Sequence, residues 1–398
     1  MGGSFSKNNA CFVQTDRPVY HDGEAVQAVV CLNLTEPVDV TDIECQLTGV
    51  ESTYWTETRD HGAGSHHYST TETHGGTMQM LDVKVQLPGG NRRIPPGQYQ
   101  WPIVWALPAG LPSSFRVGSG GDGAEVTYQI TVVLHTPGFF SKAIRAVQVL
   151  TVRQLMPAPA AIVDQSAQEL QLVSCCCFNR GSVNAHVRVD KDRCQPGEEV
   201  TVILDLDNGR SKLPVDGIEL SLKREAVAYE RPGCSGGDTR RFFQELAKAR
   251  HEGVPPFTAT QRRMVMRLPA DLQPSMQGAL IRCVYFVKVK LNIGSFVKDV
   301  RLKVPIVVLA PQPAPTPEEP FFSEPPPFWH PSVVSTPQAI DVPSAPPLPP
   351  ELLQPNAPFW ARTLSNSGAD GKSAAAAAAA AASVAAAAAS NGTKYPVV

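Results

Sequence analysis

At 398 residues, 42% of them hydrophobic and 18% charged, the chain is long enough for two domains with sequence to spare. Its 35 Lys plus Arg nearly cancel 37 Asp plus Glu, leaving a net charge of −2, so there is no broad basic field to hold nucleic acid. The opening MGGSFSKNNA lacks the apolar core of a signal peptide, and no stretch approaches the roughly eighteen uninterrupted bulky apolar residues of a membrane-spanning helix, which points to the cytosol.

Taken in chain order, the first feature is MGGSFS, which places Gly2 and Ser6 in the N-myristoylation pattern ahead of the first strand. One myristoyl chain holds a membrane only marginally, so a second anchoring signal is needed. Val26, Ala28, Val30, Leu32 and Leu34 then alternate with a period of two, as a strand with one buried face does. The same alternation recurs at Leu81, Val83, Val85 and Leu87, at Tyr99, Trp101, Ile103 and Trp105, and at Val126, Tyr128, Ile130, Val132 and Leu134. Gly and Pro punctuate these runs at HDG, PGG, IPPG, TPG and QPG, the turn spacing of an antiparallel sandwich. His61, His66, His67 and His74 crowd one glycine-rich loop, where imidazole affinity for zinc or copper is weighed against a solvated hairpin tip. The hairpin tip is adopted, and no metal or cofactor is assigned. Arg92 and Arg93, Arg240 and Arg241, and Arg262 and Arg263 form basic pairs. Their forked guanidinium groups suit an acidic or phosphorylated cargo tail, Arg92 and Arg93 being the chosen pair, or they are simply solvated edge charges.

The chain is duplicated. TDRPVYHDGEAVQAVVCLNL overlays KDRCQPGEEVTVILDLDN, so that Asp16 and Arg17 answer Asp192 and Arg193, and Gly23 and Glu24 answer Gly197 and Glu198. Leu107 and Pro108 precede Tyr128 as Leu268 and Pro269 precede Tyr285. So long a period means paired domains and not a solenoid. The expected division is a β-sandwich over 8–153, a linker over 154–181, a second sandwich over 182–310 and a disordered tail over 311–398. Within the linker, Cys175, Cys176 and Cys177 are either a palmitoylated second anchor or thiols packed against an interdomain strand. As a zinc site the triplet is poor, because three adjacent cysteines cannot all aim at one tetrahedral ion without strain. In a reducing compartment the nine cysteines form no disulfide framework, and the sequons at Asn33 and Asn391 are chance matches. RRFFQELAKAR, from Arg240 to Arg250, is the single stretch expected to be helical. Beyond Pro311, 17 of 50 residues are proline and runs of nine and five alanines follow, a composition that cannot offset its ordering entropy.

PPGQYQWPIVWALPAGLPSSF, from Pro95 to Phe115, resembles the N-domain signature of the arrestins. CCCFNRGSVNAHVRVDKDRCQPGEEV resembles the entry to their C-domain, and RLPADLQPSMQGALIRCVYFVKVKL its later block. The resemblance covers Cys11 to Leu309 and sits closest to the α-arrestins, the arrestin-domain-containing trafficking adaptors. It implies an all-β protein of two tandem sandwiches, no catalysis, and a role linking cytosolic segments of membrane proteins to ubiquitin ligases or to endocytic and sorting machinery. Cytoplasmic residence with peripheral contact to the plasma membrane or endosome follows from that role. An arrestin-fold subunit of a retromer-like coat is the alternative, and the long tail and Gly2 favour the adaptor.

The family's usual Pro-Pro-x-Tyr motif has no counterpart here; Pro325, Pro326, Pro327 and Phe328 come nearest, with Phe in place of Tyr. Phe328 and Trp329, and Phe359 and Trp360, repeat a PFW string whose aromatic side chains suit short linear motifs. Between them, Pro346 and Pro349 lie in overlapping Pro-x-x-Pro spacing suited to SH3- or WW-type grooves. No phosphate loop, paired-histidine helix motif or nucleophile elbow occurs.

Overall fold

Alternating apolar residues become buried strand faces: Val26, Ala28, Val30, Leu32 and Leu34 are each 2% exposed or less, and so are Val200, Val202, Leu204 and Leu206. The computed structural model describes residues 2–3, 9–61, 68–119, 121–138, 143–155, 165–174, 178–232, 238–294, 299–311, 333–335 and 338–341. Every regular element among them is a strand. The first half contains β1 (Gly2–Gly3), β2 (Ala10–Thr15), β3 (Val19–His21), β4 (Ala25–Leu34), β5 (Val38–Val40) and β6 (Asp42–His61). It continues with β7 (Tyr68–Gln86), β8 (Arg92–Ile94), β9 (Gly97–Ala106), β10 (Phe115–Ser119), β11 (Asp122–His135) and β12 (Ile144–Arg153). One sheet runs β1-β12-β11-β6-β7, with β10 on β11 and β3 on β12. A second runs β2-β4-β9, and β5 pairs with β8.

The second half contains β13 (Gln165–Ser174), β14 (Phe178–Val189), β15 (Arg193–Cys194), β16 (Glu199–Asp207) and β17 (Val215–Tyr229). After it come β18 (Thr239–Val254), β19 (Ala259–Arg267), β20 (Met276–Gln277), β21 (Ile281–Asn292) and β22 (Val300–Val308). Its sheets run β13-β14-β16-β19 and β15-β22-β21-β17-β18, with β20 on β21.

The duplication extends to individual hydrogen bonds. The short β3 pairs parallel with β12 as β15 does with β22. The Glu24 carboxylate accepts the His21 N–H at 2.7 Å, and that of Glu198 accepts the Gln195 N–H at 2.9 Å. Gly23 and Gly197 both turn through positive φ, 82° and 83°, where a side chain is strained. Ser114 Oγ accepts the Val152 N–H, and Ser275 Oγ the Val308 N–H, each at 2.9 Å. Tyr128 donates its hydroxyl to Pro112 O at 2.8 Å and Tyr285 to Gln273 O at 2.7 Å.

Arg240–Arg250 is not helical but forms the middle of β18, paired along its length with β17. Cross-strand ion pairs take the place of helical ones: Lys223 with Glu245 at 2.7 Å, Lys248 with Glu219 at 2.8 Å and Arg241 with Glu225 at 2.9 Å. Inside the stretch expected to be wholly disordered, β23 (Val333–Val334) and β24 (Gln338–Asp341) extend the β9 edge as parallel strands.

Packing at the centre of the first sandwich leaves no slack at Gly49, which lies opposite Tyr128 on β11. A Cβ there falls 2.7 Å from the Tyr128 ring and 3.3 Å from Leu81 Cβ, and the Tyr128 hydroxyl bond holds the ring in place. Gly49→Ala is therefore expected to cost about 1–3 kcal/mol, seen as a lower midpoint in chemical denaturation with an unchanged slope.

Candidate functional site

Two features set this molecule apart from a bare pair of sandwiches: a filled strand edge on the first half, and a polar seam between the halves. At the edge, Val333 and Val334 align with Tyr99 and Gln100, and Gln338 to Asp341 align with Ile103 to Ala106. Ser335 adds a bond from its N–H to Gln100 O at 3.0 Å. Ile340 packs against the apolar core, so this added strand contributes a side chain as well as backbone bonds. β9 itself is tied to the preceding turns by Trp101 Nε1–H to Pro88 O at 3.0 Å and Tyr99 O–H to Pro95 O at 2.8 Å. An unpaired edge is a template for further strands, and here the chain's own downstream sequence takes that place.

Along the seam, β6 and β7 of the first half face the β17–β18 hairpin and the β20–β21 turn of the second. Glu51 is fully buried and its Oε2 accepts the Ala279 N–H at 2.9 Å. Burial pushes the Glu51 carboxyl up to about 7, and the backbone amides of Leu280, Ala279 and Ile281 pull it part of the way back. Thr53 donates its hydroxyl to Tyr229 O at 2.9 Å and accepts the Gly76 N–H at 3.0 Å. Arg240 pairs with Asp122 at 2.8 Å, and the Arg224 guanidinium lies 5.9 Å from the Phe115 ring centroid. At the far end, His21 Nε2 meets Pro311 O at 3.0 Å.

The sequence-derived sites scatter. Arg92 and Arg93 sit exposed on β8, where Arg93 faces Asp39 at 4.0 Å. Arg240 belongs to the seam, and Arg262 and Arg263 lie on the edge strand β19. Gly2 does not hang free: Gly2 and Gly3 pair with Val147 and Ala146 of β12. Cys175, Cys176 and Cys177 lie outside the described residues, as do Pro325, Pro326, Pro327, Phe328, Trp329, Pro346, Pro349, Phe359 and Trp360. Five cysteines, Cys11, Cys31, Cys45, Cys194 and Cys283, are free and buried. Burial pushes the thiols of Cys11, Cys31, Cys194 and Cys283 up to about 12, which keeps them protonated and inert.

The histidine-loop reading needs correction at His74. It sits within β7, 8% exposed, stacked on Trp55 with ring centroids 5.5 Å apart. His61 closes β6 and bonds Thr70 through Nε2 at 2.8 Å, while His66 and His67 lie outside the described residues.

Comparison with known proteins gives a consistent result. The family model described as arrestin (or S-antigen), N-terminal domain, matches residues 11–156, and the corresponding C-terminal domain model matches residues 179–313. Arrestin domain-containing protein 17 of Caenorhabditis elegans is 28% identical over 203 residues, 48% of this chain and 46% of that protein. This chain thus spans about half the length of the worm relative. Arrestin domain-containing protein 4 of Mus musculus is 21% identical over 308 residues, covering 75% of this chain and 70% of the mouse protein. Human thioredoxin-interacting protein is 23% identical over 300 residues, covering 73% and 71%.

Proposed function

This chain belongs to the arrestin family, in its α-arrestin branch, and from that membership we propose that it is a non-catalytic adaptor joining cytosolic segments of membrane proteins to endocytic, sorting or ubiquitination machinery. The observation that carries this reading is the β9 edge. A sheet edge that accepts Gln338–Asp341 in register accepts an extended peptide by main-chain bonds, with alternate side chains supplying selectivity. Cytosolic tails of membrane proteins are extended segments of this kind. The sandwiches serve as the rigid reader, and the PFW and Pro-x-x-Pro strings of the tail serve as handles for partner domains.

Myristate on Gly2 would add membrane contact from a residue that pairs with Val147 of β12 in the folded chain. The absent Pro-Pro-x-Tyr motif favours recruitment of a ubiquitin ligase through an intermediate partner over direct recruitment.

Deleting Pro311 to Val398 is expected to remove trafficking partners from affinity purifications while freeing β9 to take up more of an extended cargo peptide. A truncated protein that keeps every trafficking partner of the full chain would remove the tail from this account.

A further inference from the structure

We propose that His74, Glu230 and Asp238 form a divalent-cation site of the zinc class that ties the two sandwiches together across their seam. One imidazole nitrogen and two carboxylate oxygens lie within 4.8 Å of one another. His74 Nδ1 is 3.4 Å from Asp238 Oδ2 and 3.9 Å from Glu230 Oε1. Ligand bonds of about 2.0–2.2 Å in a tetrahedral shell place donors about 3.3–3.6 Å apart, so a small inward movement closes the shell.

The ligands are held from both sides. On the first half, the Trp55 ring fixes the His74 imidazole at an interplanar angle of 14°. On the second, the Glu230 N–H donates to Asp238 O at 3.2 Å, which ties together the neck of the β17–β18 hairpin where both carboxylates stand. Gly76 brings β7 so close to this neck that a Cβ would fall 2.5 Å from Glu230 O.

The second nitrogen supports the assignment. His74 Nε2 is buried with no hydrogen-bond partner, and its nearest acidic neighbour is Glu72 Oε2 at 3.9 Å. A metal-bound imidazole characteristically points its other N–H at a carboxylate, which fixes its tautomer and raises the basicity of the ligating nitrogen. Glu72 is placed for that task, and the same Oε2 is held by Arg59 Nη1 at 3.4 Å.

Charge and donor chemistry select the ion. Among the described residues no Lys or Arg pairs with Glu230 or Asp238, and His74 alone faces them. Two carboxylates and a neutral imidazole balance a dication, and the imidazole disfavours calcium and magnesium, which prefer all-oxygen shells. With three protein ligands, one position remains for water or for a partner's side chain.

The test uses the full-length chain, freed of metal under reducing conditions and titrated with Zn2+ by calorimetry, with Mg2+ and Ca2+ in parallel. Wild type is expected to take up one more zinc per chain than Asp238→Asn or His74→Gln, with affinity at that site falling at least tenfold in either variant. Asp238 is half exposed, so its variant folds even if the His74 substitution disturbs packing under Trp55. X-ray absorption should show a nitrogen and oxygen shell for the zinc that Asp238→Asn loses. Equal zinc uptake in wild type and Asp238→Asn, or a purely sulfur shell, overturns the assignment and leaves His74 as a neighbour of the two carboxylates with no metal role.

Discussion

Asp16→Ala is expected to destabilise the first sandwich by about 3–5 kcal/mol, the cost of removing one partner from a buried, hydrogen-bonded charge cluster. Asp16 is 4% exposed, and its Oδ1 accepts both the Tyr20 hydroxyl at 2.5 Å and the Gln27 N–H at 3.1 Å. Its Oδ2 takes the Arg17 guanidinium at 3.1 Å. Tyr20 is fully buried, and burial together with the Asp16 charge pushes its phenol well up, so it stays a donor in search of an acceptor. Truncation strands that hydroxyl and the Gln27 amide at once. Asp16→Asn keeps an acceptor oxygen and loses the charge, so about 1–2 kcal/mol is expected of it. Denaturant unfolding of the three proteins separates the cases. A loss below about 1 kcal/mol for Asp16→Ala would mean that water reaches Tyr20 and Gln27. The second sandwich offers an internal comparison, because there Arg193 and Asp192 are both buried and stand 4.0 Å apart.

The same cluster shows why so much of the fold was legible. Asp-Arg, a Gly at positive φ and a Glu that folds back on the turn recur in both halves because one hydrogen-bonded corner is built twice. Alternation exposed the central strands because their two faces meet different solvents. Arg240–Arg250 misled because its apolar residues, Phe242, Phe243, Leu246, Ala247 and Ala249, recur at helical spacing as well as along a strand. Pairing with β17 decides the matter, and no local pattern encodes partners that range from Ala228 for Arg240 to Glu219 for Arg250. The β24 strand was hidden for a similar reason. Its QAID sequence is too short to show an alternating pattern, and it is paired as a strand along the β9 edge.

The seam was missed, although part of its signal was present. In β6 the buried phase runs Ile43, Cys45, Leu47, Gly49, Glu51, Thr53, Trp55. A carboxylate on the inward phase of an alternating strand announces a buried polar contact. What it touches, the Ala279 N–H 228 residues downstream, depends on how two domains meet, and duplication alone does not fix that. His74 was read as loop because glycines follow it; its burial comes from Trp55 and the second domain, neither of which is near it in sequence.

Glu51 should make stability depend on pH in a direction opposite to that of a surface salt bridge. Its folded carboxyl titrates at about 7 against 4.5 for the free group, so between these values the folded chain holds a proton that the unfolded chain has released. The contribution is complete below about pH 4.5 and is lost as pH rises through 7, a change of about 3 kcal/mol in all. Tyr128 faces the same carboxylate; burial raises its phenol further, with the Glu51 charge adding to the effect, so it stays neutral across this range and adds no slope of its own. Glu51→Gln keeps an oxygen to accept the Ala279 N–H and has nothing to titrate. The variant is therefore expected to match wild type near pH 5 and to exceed it at pH 8 by up to that amount. Calorimetric unfolding at the two pH values provides the difference, and hydrogen exchange at the Ala279 amide shows whether it arises at the seam. Parallel pH profiles for the two proteins would mean that the carboxylate is solvated, hence that the halves do not close over it. A steeper loss in wild type, with faster exchange at Ala279 above pH 7, would make one buried carboxylate the element that sets how firmly the two sandwiches hold each other.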